Sequence, residues 1–220
     1  MIKTVLALML AIAAPMQTPP PQFPRDGAKQ LIDNERVTVW DATWPKGKAT
    51  PAYKNPDDMV TVELNDAAYR ITGKDSVVSV KLGQVNYIKN GTSQSETGTS
   101  DVPRHAIVID LKNVKVPPME NKSGYPDAFP REAIKKVLDN ERLTVWDYSW
   151  TPGKATPMHF HAKDVVTIYV STGEIRSTAL DGTVNVNSVT PGLARFNPRN
   201  RTHTEELIKG SGRAIIVELK

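Results

Sequence analysis

Three of the chain's four histidines, His159, His161 and His203, lie in its C-terminal half. His159 and His161 are two positions apart, and in a strand residues i and i+2 point to the same face. Their imidazoles therefore reach a common point while Phe160 turns away. His203 follows after the Asp181-Gly182 and Pro191-Gly192 turns, a path that returns an up-and-down sheet to the same face. Three neutral imidazoles around one point suit a borderline divalent metal. The chain has no cysteine, so His, Asp and Glu are the only strong ligands it offers. Glu205 shares a face with His203 if that strand is regular, and Asp164 follows His161 closely. Both are candidates for an extra ligand or an acid–base group; the alternative is a pair of solvated surface acids. Arg195, Arg199, Arg201 and Lys209 cluster around His203 in sequence. Arg195 and Arg201 are candidates for holding an anionic substrate such as a carboxylate or sugar acid, against the alternative of a solubilising loop.

These residues need short strands to position them, and the sequence is rich in such strands. Val165 to Val170 is β-branched and aromatic, Val184, Val186 and Val189 alternate with polar residues, and Ala214 to Leu219 is an apolar run. Gly and Pro turns separate them, the pattern of an all-β sandwich or barrel. Residues 25–32 and 131–138 are read as one short leading helix per repeat. The repeat itself is plain: Phe23–Asp66 set against Phe129–Thr172 gives 21 identities in 44 positions. Two domains of about 90 residues follow, 25–112 and 129–220, joined by a linker over 113–128 that holds Pro117-Pro118 and Ser123-Gly124.

Upstream, Lys3, the apolar run Val5 to Ala14, and Ala11 and Ala13 form a signal-peptide pattern over residues 1–14, too short to span a membrane. A proline-rich tether occupies 15–24. The protein is therefore expected to be exported, to the periplasm or the medium. Its net charge is +4, with no basic stripe, which argues against nucleic acid as a partner. No G-x-S-x-G and no phosphate loop is present, which argues against a serine hydrolase or a nucleotide enzyme. A duplicated chain already holds an internal pair, so a monomer or a homodimer is expected.

Gly153, His159-Phe160-His161 and Gly173 resemble the first cupin motif, and Pro198 to His203 after Pro191-Gly192 resembles the second. The resemblance covers the C-terminal copy, and the duplication extends it to a bicupin. It implies two tandem jelly-roll barrels. It also implies one divalent transition metal (Fe, Mn, Ni or Zn) on His159, His161 and His203. The family's usual glutamate does not carry over: its expected position is Val166. In the first copy the ligand positions become Tyr53, Asn55 and Gln94, so that barrel is expected to be degenerate. Two function classes remain. One is a metal-dependent enzyme on a small polar organic molecule, as oxygenase, isomerase, lyase or hydrolase. The other is a non-catalytic cupin that binds a small ligand or metal.

Overall fold

The computed structural model describes residues 18–220. The expected leader and the first residues of the tether lie outside the described residues. The N-terminal half contributes β1 (Ala28–Asp33), β2 (Val37–Trp44), β3 (Tyr53–Lys54), β4 (Asp58–Glu63), β5 (Ala67–Ile71), β6 (Val77–Val80), β7 (Val85–Ile88), β8 (Ser93–Gln94), β9 (Glu96–Gly98) and β10 (Arg104–Leu111). The C-terminal half contributes β11 (Ile134–Asp139), β12 (Leu143–Trp150), β13 (His159–His161), β14 (Val165–Tyr169), β15 (Gly173–Ala179), β16 (Val184–Val189), β17 (Ala194–Asn197), β18 (Arg201–Gly210) and β19 (Gly212–Leu219).

No helix forms among the described residues. The two leading helices expected from the sequence are the strands β1 and β11, which pair antiparallel with β2 and β12. Helix propensity differs among ordinary residues by less than about 0.7 kcal/mol each, and a strong turn overrides it here. The Asn34 side chain accepts hydrogen bonds from the backbone N–H groups of Arg36 and Val37, and Asn140 does the same for Arg142 and Leu143. Each asparagine thereby closes a hairpin.

Each half builds a five-stranded sheet, ordered β1-β2-β10-β4-β7 and β11-β12-β19-β14-β17. Alternation along these strands sends one face into its own barrel and the other toward the second barrel. Val37, Val39, Ile107 and Ile109 meet Leu143, Val145, Ile215 and Val217 in one fully buried cluster. Trp146, Tyr148, Trp150 and Ile216 turn inward instead. A sheet covered on both faces reads as continuous apolar sequence, as in Ala214 to Val217.

Two equivalent ion pairs flank the joint. Arg36 Nη1 donates to Asp164 Oδ2 at 2.6 Å, and Arg142 Nη1 to Asp58 Oδ2 at 3.4 Å. Arg36 and Arg142 occupy the same place in the repeat, as do Asp58 and Asp164, so the two bonds are exchanged across a pseudo-twofold axis in the manner of an isologous dimer.

Among the tether residues, Phe23 is buried and stacks on Trp40 at 5.2 Å. The linker lies along β13: Ala128 N donates to Phe160 O, Phe160 N to Pro126 O, and Met119 N to Ala162 O. The strand that carries two of the histidines is thus covered on its open edge.

Candidate metal centre

β13 and β18 pair so that His159 stands opposite His203 and His161 opposite Arg201. His159, His161 and His203 are all buried. One ring nitrogen from each falls within 4.8 Å of the others. His161 Nε2 and His203 Nε2 face each other at 3.0 Å. Nitrogens about 2.0–2.1 Å from a tetrahedral metal lie about 3.3 Å from one another, so a modest ring rotation of His159 closes the set. The far sides of two rings are engaged by the protein. His159 Nδ1 donates to Pro157 O at 2.9 Å, and His203 Nδ1 lies 2.9 Å from Ser177 Oγ. Such contacts fix a ring's orientation and make Nε2 the ligand atom.

Burial lowers the pKa of all three histidines, to about 4 for His203; for His161 the neighbouring His203 and His159 add to the effect. The rings are therefore neutral near pH 7, as metal ligands must be. The donor set and its geometry fit a divalent transition metal.

A cavity of about 230 Å³ opens beside His161 and His203. Arg195 and Arg201 both line it. Arg195 donates to Asn187 Oδ1 at 2.7 Å and Arg201 to Asn197 Oδ1 at 2.8 Å. Glu205 lines it too, with its side chain only 17% exposed. Burial pushes the Glu205 carboxyl up, but His203 and Arg131 outweigh it and hold it below the usual carboxylate range.

Asp164 is not brought to the site. It is spent on Arg36 of the other barrel and on the Arg199 backbone N–H at 2.8 Å. Arg199 itself reaches the linker at Pro117 O, and Lys209 pairs with Glu174 at the surface.

Two site residues escaped the sequence reading. Arg131 places Nη1 3.4 Å from His159 Nε2 and Nη2 3.6 Å from Glu205 Oε2. The helix expected over 131–138 gives no sign of this approach. Ser177 carried no sequence signal; β15 pairing with β18 puts it beside His203.

No family model and no curated protein matches the chain. Solved structures do match it. AerE from Microcystis aeruginosa aligns at TM-score 0.64 with 9% identity, covering 92% of this chain and 97% of that one. A Cupin 2 conserved barrel domain protein from Leptotrichia buccalis aligns at 0.57 with 13% identity over 88% of each chain. Bacillus subtilis oxalate decarboxylase, studied for its Mn(II) centres, aligns at 0.56 with 13% identity, covering 84% of this chain and 68% of that one. The chain has the cupin fold, in duplicate.

Within the C-terminal cupin barrel, Val166 is not the place a carboxylate would enter. Its side chain is in the joint between the barrels. Val165, Thr167 and Tyr169 are the β14 residues that line the cavity, and none of them is a carboxylate.

The N-terminal cupin barrel keeps the same register, with Tyr53 opposite Gln94 where the other has His159 opposite His203. Its interior is filled differently. Arg104 is 2% exposed and lies between Trp44 and Tyr69, its Cζ 4.3 and 4.2 Å from their ring centroids. Its Nε and Nη2 donate to Glu63 at 3.0 and 2.6 Å, and Nη1 to Glu96 at 3.3 Å. The position opposite Trp150 in the other barrel is Gly212, and a Cβ there would meet Leu207 at 3.1 Å and Trp150 at 3.3 Å. One barrel is plugged where the other is open.

Proposed function

We propose that the C-terminal cupin barrel binds one divalent transition metal through His159, His161 and His203 and acts enzymatically on a small anionic organic molecule. The observation that supports this most directly is the convergence of three buried, neutral imidazoles beside an arginine-lined cavity. Iron, manganese, nickel and zinc all suit such a donor set, and oxalate decarboxylase, a structure of the same fold, has Mn(II) centres. When bound, the metal supplies Lewis-acid or redox chemistry at a substrate oxygen; which of the two decides between oxygenase and isomerase, lyase or hydrolase activity. Arg195 and Arg201 attract and orient the anion. Glu205 is the carboxylate within reach of a proton exchanged with the substrate. Val165, Ile175 and Ile216, with Phe129 and Trp150, form the apolar part of the wall and limit water. The leader pattern over residues 1–14 supports an exported protein.

Elemental analysis of protein from metal-replete expression should find one transition metal per chain. His161→Ala should release it while the β-sheet circular dichroism is kept. Two metals per chain, none, or loss of the sheet signal on that change would refute the assignment.

A further inference from the structure

The N-terminal barrel has its own cationic residue with unused bonding capacity. Arg25 occupies the place that Arg131 holds in the other repeat. Arg131 faces Glu205; the matching carboxylate in the N-terminal barrel, Glu96, is taken by Arg104 at 3.3 Å and by Gln94 Nε2 at 2.8 Å. Arg25 is left without it. Its Nη1 donates to Asp26 O and Thr43 O at 2.8 and 3.1 Å, and its Nε and Nη2 are buried without a partner among the described residues.

Those two nitrogens form one edge of the guanidinium fork, the edge that takes a carboxylate side-on. The same molecule shows the mode twice. Arg104 uses Nε and Nη2 on Glu63, and Arg213 uses Nε and Nη2 on Asp147 at 3.0 and 2.9 Å. A buried donor without an acceptor costs about 1–3 kcal/mol, and more when charged. Arg25 therefore favours any acceptor it can turn to reach.

Arg25 also lines a cavity of about 440 Å³, within the range of small-molecule sites. Its apolar lining comes from Pro24, Pro45, Ala49 and Pro51, and the Arg25 guanidinium stacks at 4.5 Å on the buried Trp44 ring behind it. Lys48 is at the exposed rim, and Asp26 is the one acid in the lining. Two cations against one acid favour an anion, and the proline-rich lining favours an apolar ring. We propose that the N-terminal barrel carries a second binding site, separate from the three histidines, for a small ring-bearing carboxylate held by Arg25 and Lys48 against Pro24, Pro45 and Pro51. The guanidinium turns on Trp44 to present its free edge, and the ring lies along the apolar walls.

Benzoate titrated into the metal-free full-length protein tests this by calorimetry. One equivalent should bind, and the neutral amide benzamide should bind about tenfold more weakly or less well still, because the charged hydrogen bonds are lost. Arg25→Lys keeps the charge but loses the fork, and should weaken benzoate by a similar factor. Lys48→Gln, at an exposed position, should weaken it about two- to fivefold. His161→Ala should leave it unchanged. No heat at millimolar benzoate, equal binding of benzamide, indifference to both the Arg25 and Lys48 changes, or loss of binding with His161→Ala would each overturn the proposal.

Discussion

Arg36→Ala isolates one half of the clamp between the barrels, and the structure sets its size. Arg36 is 5% exposed and Asp164 6%. Removing the guanidinium leaves a buried carboxylate with only the Arg199 backbone N–H, and strips Lys220 O of its donor. Breaking a buried pair on one side costs about 3–5 kcal/mol. For a chain of this length, a kcal/mol moves Tm by about 2–4 °C, so the midpoint should fall by about 6–20 °C. The equivalent change Arg142→Ala is milder. That side chain is 24% exposed and its pair is longer, at 3.4 Å; about 1–2 kcal/mol is expected from its lost bonds to Asp58, Leu111 O and Lys112 O. Thermal unfolding followed by circular dichroism at pH 7, at low and high salt, measures both. The Arg36 effect should persist in salt because the pair is shielded from it. A loss under about 1 kcal/mol for Arg36→Ala, or an equal loss for Arg142→Ala, would refute the reasoning. Asp164→Asn should destabilise the joint yet keep the metal; a metal-free Asp164→Asn protein would return Asp164 to the site.

Asp110 gives a pH signature. Burial raises its pKa to about 6, with the Trp40 indole N–H pulling the other way. A folded-state pKa raised from 3.8 means that its stabilising contribution is full below pH 3.8 and is lost as pH rises through about 6. Asp110→Asn should therefore match the parent near pH 3.5 and exceed it by about 1–2 kcal/mol at pH 8, after discounting for solvent screening; denaturant melts at the two pH values would show it, and equal stability at both would count against it. The leader should be cut near residue 14 on export, so an intact Met1 on secreted material, by mass spectrometry, would refute export through this leader.

The site was legible because its geometry is local. His159 and His161 share a strand face by period alone, and the turns before His203 bring that residue back. The barrels were legible from strand spacing, and the duplication from identity. The leading helices were misread because Lys135, Lys136 and Leu138 look helical singly, whereas the Asn140 hairpin decides their pairing. For Asp164 the sequence leaves a site role and a surface role open, because its partner Arg36 is 128 residues away and no spacing rule spans that. A clue was present even so. Arg36/Arg142 and Asp58/Asp164 are kept in both copies while the three histidines are not, which separates residues that hold the halves together from residues that serve one half. Val166 was assigned by counting along a motif, and counting cannot tell the two faces of a strand covered on both sides.

The Arg104 plug makes the divergence of the two halves hard to reverse. Histidines written in at positions 53, 55 and 94 would enter a chamber whose centre already holds a guanidinium tied to Glu63 and Glu96. A cation bound there would meet the packed Arg104 side chain instead of open space. Opening the chamber for a metal would require Arg104 and its two carboxylates to change together, because loss of Arg104 alone strands Glu63 and Glu96 while loss of one glutamate leaves Arg104 held by the other. The two barrels thus differ by more than their ligands: the N-terminal one is closed by a three-residue cluster that no single substitution can remove cheaply.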